Sequence, residues 1–152
     1  MYKNLIMQLE SLSEGITYPV TILSNAAAIL FNTLKDINWA GFYIFDGASG
    51  DDAGTLLLGP FQGKPACMKI PVGKGVCGTA VARNETVLVR DVHEFPGHIA
   101  CDSASNSEIV VPIHSDDAIY GVLDIDSPCF GRFTDDDRRG LEKFVAVLEK
   151  YI

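Results

Sequence analysis

The stretch WAGFYIF, residues Trp39–Phe45, predicts the central strand of the fold because its side chains alternate between two faces. One predicted face carries Trp39, Gly41, Tyr43 and Phe45, and the other carries Ala40, Phe42 and Ile44. An acidic, glycine-rich turn over residues 47–54 follows, and then a second apolar run over residues 55–61. Two such runs joined by a turn predict a β-hairpin. Aromatic side chains at this spacing are most often core residues, and a small ligand held against Trp39 is the alternative.

Helices and further strands are predicted on both sides of this hairpin. Helical spacing of apolar residues predicts one helix over residues 4–12, with Leu5, Leu9 and Leu12 buried. A second is predicted over residues 20–34 behind Pro19, with Val20 and Leu23 on its buried face. Short strands are expected over 66–70, 86–89, 108–113 and 119–125, a short helix ending near Arg83, and a final helix capped by Thr134. This order predicts an α+β domain spanning residues 1–152, with helices packed on one mainly antiparallel sheet of about six strands.

Composition limits the range of partners and locations. The chain has 152 residues and a formal net charge of −8, so its surface is expected to repel nucleic acid and anionic membranes. The sequence contains neither a run of about 18 apolar residues nor a signal-peptide pattern at its N-terminus. We therefore predict a cytoplasmic protein, in which a permanent disulfide framework is not expected.

Three of the four cysteines lie in irregular or glycine-rich sequence, namely Cys67, Cys77 and Cys101. Cys101 falls inside residues 91–107, a long segment without periodicity, and such loops are usually functional. Structural cysteines usually lie inside apolar elements, so this placement indicates thiol chemistry with Cys101 as the best candidate nucleophile. No Cys-x-x-Cys pair is present, so we predict neither a structural zinc site nor another metal site.

Acidic residues accompany the predicted strands. In GVLDID, residues 121–126, Asp124 and Asp126 share one face, where repulsion and desolvation are expected to raise at least one pKa. Such a pair could supply a proton or hold an ammonium group, and the alternative is a strand end that runs into solvent. Glu108, at the start of another strand, could project into the same site or could simply be solvated.

An ordered set of motifs closely resembles the free methionine-(R)-sulfoxide reductases, which are single GAF-domain enzymes. These motifs are GPFQG (59–63) with Ala66-Cys67, GKGVCG (73–78), DVH (91–93), FPGHIACD (95–102), SEIVVP (107–112) and GVLDIDS (121–127). The resemblance runs from about Asn38 to the C-terminal helix. It implies a GAF fold, with a six-stranded antiparallel sheet flanked by helices, and a homodimer formed through helical surfaces. Cys129 and the acidic turn 46–54 lie outside the pattern.

The resemblance also implies an activity, namely the reduction of free L-methionine (R)-sulfoxide, not of the residue within proteins. In this family pattern Cys101 is the nucleophile, Cys67 the main resolving thiol, and Cys77 a third thiol that assists disulfide exchange. Thioredoxin or a similar dithiol reductant regenerates the enzyme, and no cofactor is implied. The implied substrate-binding residues are Trp39, Tyr43, Glu108, Asp124 and Asp126.

The chemistry of these residues agrees with that activity. A sulfoxide sulfur is electrophilic only when its oxygen is protonated or strongly hydrogen-bonded, which a carboxyl group of raised pKa can achieve. Cys101 then becomes a sulfenic acid, and condensation with Cys67 gives a disulfide that an external dithiol reduces. His98 would lower the pKa of Cys101 and Asp102 would raise it, and the sequence leaves the balance open. The rival hypothesis is a non-catalytic GAF module that binds a ligand or senses redox state, although 152 residues leave no room for an output domain.

Overall fold

The computed structural model describes residues 1–47, 53–99 and 103–152, and these form a six-stranded antiparallel sheet with helices on both faces. Most of the predicted turn 47–54 lies outside the described residues. The helices are α1 (Tyr2–Ser13), α2 (Pro19–Thr33), α3 (Gly75–Arg83) and α4 (Asp135–Leu148). The strands are β1 (Trp39–Asp46), β2 (Thr55–Gly63), β3 (Lys69–Pro71), β4 (Val87–Val89), β5 (Ser107–Ser115) and β6 (Ala118–Ser127). Their order across the sheet is β3-β2-β1-β6-β5-β4, which confirms the predicted α+β class.

The larger core lies between one face of the sheet and helices α1, α2 and α4. The β1 residues Ala40 and Phe42 are fully buried in it, as the alternation along this strand predicts. Two predicted core positions are wrong, because Leu12 is 49% exposed and Val20 is 51% exposed. The buried stripe of α1 runs through Leu5, Leu9 and Ser13, which turns Leu12 toward solvent.

The opposite face of the sheet carries a second, smaller core. Trp39 and Tyr43 of β1 pack there against α3 and the segment that precedes β5. The prediction of irregular sequence around Cys77 is wrong, because this residue lies in the first turn of α3 and is 3% exposed. The spacing of Val76, Cys77 and Ala80 along one helical turn buries all three side chains against the sheet.

Boundaries differ from the predictions mainly in the short elements. The strand expected over residues 66–70 begins only at Lys69, and residues Val92–Glu94 form a 3-10 turn within the segment that showed no periodicity. Thr134 caps α4 as predicted, through a reciprocal pair of hydrogen bonds with Asp137. Among the described residues, no helix is both long enough and apolar enough to cross a bilayer.

Close packing of the central strands depends on glycine at two positions. A Cβ atom at Gly121 in β6 would lie 2.2 Å from the carbonyl oxygen of Tyr43 in β1. At Gly41, a Cβ atom would lie 2.3 Å from Cβ of Phe61 and 2.7 Å from the ring of Trp39. The absence of a side chain at Gly41 leaves room for the Trp39 ring, which lines the pocket.

Candidate active site

The strand register brings the three predicted acidic residues to one place on the sheet. Glu108 of β5 lies directly opposite Asp126 of β6, and Asp124 lies two residues along the same face. Trp39 of β1 pairs with Asp126 from the other side. The acids therefore project from the face that carries the smaller core, as the alternation in residues 121–126 predicts.

Burial gives two of these acids unusual protonation behaviour. Glu108 and Asp124 are each 6% exposed, which rules out the solvated alternative for both. Burial, with the nearby charges of Asp124 and Asp126, raises the pKa of Glu108 well above its usual value. Burial also raises the pKa of Asp124 to about 6, although hydrogen bonds from Glu108 and Cys77 oppose that rise. Glu108 and Asp124 therefore hold a shared proton at neutral pH, in a pocket where it can be donated.

Two aromatic side chains form a wall beside the acids and also anchor the segment that carries Cys67. The rings of Trp39 and Tyr43 stack with their centroids 5.9 Å apart. The indole Nε1 of Trp39 donates a hydrogen bond to the carbonyl oxygen of Lys64 at 3.1 Å. The hydroxyl of Tyr43 donates to the carbonyl oxygen of Cys67 at 2.9 Å. The same two residues that line the pocket thus fix the backbone on which Cys67 sits.

The cysteines differ in state and environment. Cys77 and Cys129 carry free thiols, Cys77 buried and Cys129 exposed, whereas Cys67 is half-buried and disulfide-bonded. Burial and the neighbouring carboxylates raise the pKa of Cys77, so it remains a thiol at neutral pH and donates a hydrogen bond to Asp124. Cys101, with Ala100 and Asp102, lies outside the described residues.

These groups surround a partly enclosed cavity of about 50 Å³, several times the volume that one bound water needs. Its lining combines the acids Glu108, Asp124 and Asp126, the aromatic rings of Trp39 and Tyr43, and Gly75, Val76 and Cys77 from the first turn of α3. Ile70 and Ile99 add apolar surface. A ligand with one cationic end and one apolar end would match this distribution of charge and hydrophobic surface.

The comparisons with known proteins decide the family. The sequence model of the family described as "GAF domain" matches residues 19–152, which leaves α1 outside the match. The chain is 56% identical to the free methionine-R-sulfoxide reductase of Escherichia coli, over 99% of this chain and 88% of the relative. The chain belongs to the GAF-domain family of free methionine-(R)-sulfoxide reductases. This confirms the resemblance on which the sequence analysis relied.

Solved structures of reductases from this family agree in fold over nearly the whole chain. The fRMsr of Staphylococcus aureus in complex with substrate is similar, with a TM-score of 0.90 and 52% identity, over 99% of this chain and 94% of that one. The free methionine-R-sulfoxide reductase of Neisseria meningitidis, also in complex with its substrate, gives a TM-score of 0.92 and 44% identity. That match covers 99% of this chain and 87% of the other. The GAF fold predicted from the motifs is therefore confirmed.

Several lining residues of this GAF-domain pocket were not predicted as site residues. They include Ile99 and Ser105 from the long segment before β5, Ile70 from β3, and Val76 from α3. Of these residues, only Ile99 could have been suggested by the sequence, because it is a large apolar residue two positions before Cys101 in a mostly polar stretch. The others depend on which elements pack together, which the periodicity of a single element does not reveal.

His98 reaches the reductase pocket but does not bring a stable positive charge. Its Nε2 lies 3.8 Å from Oε2 of Glu108, and its side chain is 16% exposed. Burial, and then the nearby His93, lower the pKa of His98, so its imidazole is neutral at neutral pH. From the sequence alone, His98 is expected to lower the pKa of Cys101 and Asp102 to raise it. A neutral His98 weakens the first of these two effects.

The segment that contains Cys101 is held by the described residues on both sides of it. On the upstream side, Ile99 packs against Gly75 at the start of α3, where the backbone has φ +60°. On the downstream side, Nδ2 of Asn38 donates a hydrogen bond to Oγ of Ser105 at 3.1 Å. The backbone N–H of Asn106 donates to the backbone carbonyl oxygen of Ser127 at 2.7 Å. In this reductase-family chain, the segment is thus joined to the pocket at both ends.

Proposed function

We propose that this chain reduces free L-methionine (R)-sulfoxide to L-methionine by thiol chemistry, with Cys101 as nucleophile and Cys67 as resolving thiol. The observation that carries the proposal is the buried, proton-sharing pair Glu108 and Asp124 at the base of an aromatic-walled pocket. The chain's 56% identity to the Escherichia coli protein named free methionine-R-sulfoxide reductase supports the same assignment.

Glu108 and Asp124 act as the proton source for the sulfoxide oxygen. Attack by a thiolate on sulfur requires that the oxygen receive a proton or a strong hydrogen bond. Both carboxyl groups have raised pKa values, and the pair retains a proton at neutral pH. Because their side chains are hydrogen-bonded to each other, one can donate while the other accepts a hydrogen bond.

Recognition of the free amino acid uses three parts of the pocket. The remaining negative charge at Asp126 and its neighbours holds the α-ammonium group. The first backbone N–H groups of α3, around Val76 and Cys77, have no acceptor within the helix and bind the α-carboxylate. The methyl group on sulfur packs against Trp39. A methionine sulfoxide residue within a protein lacks both backbone charges, so the pocket selects the free amino acid.

The covalent steps form a catalytic cycle in which the substrate gives up its oxygen and an external dithiol supplies the electrons. The thiolate of Cys101 attacks sulfur, the protonated oxygen passes to Sγ of Cys101 as a sulfenic acid, and methionine leaves. The Cys67 thiol then attacks that Sγ and releases water, which forms a Cys67–Cys101 disulfide. Cys67 is disulfide-bonded, which supports its role as the resolving thiol. A dithiol such as thioredoxin reduces the bond by exchange and becomes oxidised itself.

Cys77 has a supporting role in this scheme. Its burial and its raised pKa make it a poor nucleophile at neutral pH. It closes the pocket wall, donates a hydrogen bond to Asp124 and takes part in exchange only as a secondary thiol.

We further propose that the enzyme works in the cytoplasm as a homodimer formed through its helical surface. The exposed apolar residues of α1 and of the start of α2, Met7, Leu12 and Val20, support this assembly. In the cytoplasm, thioredoxin would keep the Cys67–Cys101 pair reduced between turnovers.

A stereospecific turnover assay tests the proposal. Full-length protein with thioredoxin, thioredoxin reductase and NADPH should consume NADPH with free methionine (R)-sulfoxide and leave the (S) epimer largely unreduced. Cys101→Ser should abolish turnover, while Cys129→Ser, the matched change at an exposed thiol, should not. Substrate binding without turnover would instead support the non-catalytic GAF module.

A further inference from the structure

We propose that the acidic end of the pocket also binds a divalent transition-metal ion such as Zn²⁺. The ligands are Sγ of Cys77 and carboxylate oxygens of Glu108 and Asp124. The metal takes no part in the reduction, and the inference goes beyond the proposed function. It competes with the ammonium group of the substrate and gives a reversible form of inhibition.

The three donor atoms lie close enough together to approach a single metal ion. One ligand atom from each residue lies within 4.8 Å of the others, and all three residues are buried. In a tetrahedral zinc site with bonds of about 2.0–2.3 Å, neighbouring ligand atoms lie about 3.3–3.8 Å apart. Rotamer shifts of about 1 Å would bring these atoms to bonding distance.

A buried acceptor without a partner provides independent support. Asp124 is 6% exposed and lines the cavity, and its Oδ1 is buried without a hydrogen-bond partner among the described residues. A buried oxygen in this state is costly, and a cation in the cavity would satisfy it. The unsatisfied oxygen belongs to a residue that lines the cavity and that offers a ligand atom to the proposed metal site.

The donor set determines the class of metal. Metal binding displaces the proton of the Cys77 thiol and the proton shared by Glu108 and Asp124, and releases both to solvent. The resulting thiolate and carboxylates suit zinc, whereas Mg²⁺ and Ca²⁺ prefer oxygen ligands alone. His98, whose Nε2 lies 3.8 Å from Oε2 of Glu108, supplies a nitrogen for the fourth position. Among the described lining residues there is no lysine or arginine to repel a cation, and Asp126 adds negative charge next to Glu108.

Metal and substrate would both use Glu108 and Asp124, so we expect them to compete. A metal held by these two residues removes the proton source, and its positive charge next to Asp126 opposes binding of the ammonium group. The inference also gives Cys77 a function that a buried, free thiol can perform without being a nucleophile.

Direct metal binding tests the inference without relying on turnover. The full-length chain would be reduced with a phosphine, stripped of metal and titrated with Co²⁺ and with Zn²⁺. We expect one metal per chain, with a near-ultraviolet thiolate-to-cobalt charge-transfer band. Cys77→Ser should remove the band and weaken Zn²⁺ binding by at least about tenfold, the loss that even an outer partner of a metal ligand causes. Glu108→Gln, which keeps the side-chain shape, should weaken binding but keep the band.

Matched variants distinguish this site from other thiols. Cys129→Ser should bind metal as the parent protein does, and free methionine (R)-sulfoxide in excess should weaken Zn²⁺ binding. Absence of stoichiometric binding, or a band that survives Cys77→Ser but disappears in Cys67→Ser, would overturn the inference. Circular dichroism confirms that each variant is folded. Turnover in the presence of a chelator is measured separately, so the reductase activity can stand while the metal site fails, or the reverse.

Discussion

At the scale of single residues, the pocket depends on two acids that keep a proton where an exposed carboxyl group would have lost it. Glu108 and Asp124 lie on adjacent strands, are almost fully buried and are diagonal neighbours on the same face of the sheet. Reduction of a sulfoxide needs a proton and an electron-rich thiolate in the same place. In the proposed mechanism the carboxyl pair supplies the first without requiring a positively charged residue, which is consistent with the neutral state of His98.

The raised pKa of Glu108 predicts how stability depends on pH. The folded protein holds this proton above the usual pKa of 4.5, whereas the unfolded chain releases it there. The contribution of Glu108 to stability is therefore full below about pH 4.5 and declines as pH rises through neutrality. Glu108→Gln has no proton to lose. Its free energy of unfolding relative to the parent should therefore rise from pH 5 to pH 8, by at most about 1.4 kcal/mol per unit. Urea unfolding at each pH measures this, and parallel stability curves would contradict the assignment.

The hydroxyl of Tyr43 provides a second test at this scale, because it donates to the backbone carbonyl of Cys67. Tyr43→Phe removes one hydrogen bond, so we expect a loss of about 1 kcal/mol of stability. We also expect slower closure of the Cys67–Cys101 disulfide in rapid-quench mass spectrometry. Tyr120→Phe, a change of the same kind on β6 outside the pocket, should leave closure unchanged. Equal closure rates in Tyr43→Phe and the parent would remove the positioning role of Tyr43.

At the scale of secondary-structure elements, the first turn of α3 connects the pocket to the segment before Cys101. Gly75 has φ +60°, and a Cβ atom there would lie 3.2 Å from the side chain of Ile99. Gly73 also has a positive φ, +87°, but a Cβ atom there would meet nothing within 4 Å. An alanine at position 73 would therefore add backbone strain alone, whereas an alanine at position 75 would add both strain and a close contact with Ile99.

This difference predicts unequal effects of alanine at the two positions. Both Gly75→Ala and Gly73→Ala should lose roughly 1–2 kcal/mol of stability from backbone strain. Only Gly75→Ala displaces Ile99, so only this variant should also raise KM for methionine sulfoxide. Thermal unfolding and steady-state kinetics measure the two effects. Matching kinetics in both variants would show that the contact with Ile99 does not position the site.

Element patterns also explain which parts of the structure could be predicted from sequence. The alternation along β1 correctly placed Trp39 and Tyr43 on one face of that strand, and the alternation along β6 did the same for Asp124 and Asp126, because a strand has only two faces. That the two strands turn these faces to the same side of the sheet follows from their pairing. The buried faces of α1 and α2 were less well predicted, since Leu12 and Val20 face solvent. A helix has many possible faces, and its neighbours decide which one is buried.

Cys77 shows a further limit of single-sequence reasoning. Glycines around it suggested an irregular segment, yet it lies in the first turn of α3 and packs against the sheet. Its contact with Asp124 joins elements almost fifty residues apart in sequence. Such a contact depends on the packing of α3 across β5 and β6, which no local pattern encodes.

At the scale of the whole molecule, one face of the sheet forms the larger core and the other face carries the pocket. Helices α1, α2 and α4 cover one face and form the larger core, while the other face holds the pocket under α3. The apolar residues exposed on α1 and α2 are thus remote from the pocket, which lets an assembly form without covering the site.

This arrangement predicts a dimer that can be disrupted without loss of the fold. Met7 is 57% exposed and Leu12 is 49% exposed, so Met7→Lys with Leu12→Glu introduces charges without disturbing the core. We expect the parent protein to sediment as a dimer and the double variant as a monomer, with similar circular dichroism. A monomeric parent, or a double variant that remains dimeric, would show that this surface is not the interface.

In the proposed mechanism the sulfoxide oxygen passes from the substrate to the thiol of Cys101, and a single-turnover experiment tests this step most directly. Reduced protein mixed with one equivalent of free methionine (R)-sulfoxide, without any external reductant, should release about one methionine per chain. Mass spectrometry of the alkylated and digested protein should then show a Cys67–Cys101 disulfide, with Cys77 and Cys129 alkylated. Absence of methionine, or its release with a disulfide that contains Cys77 in place of Cys67, would contradict the account.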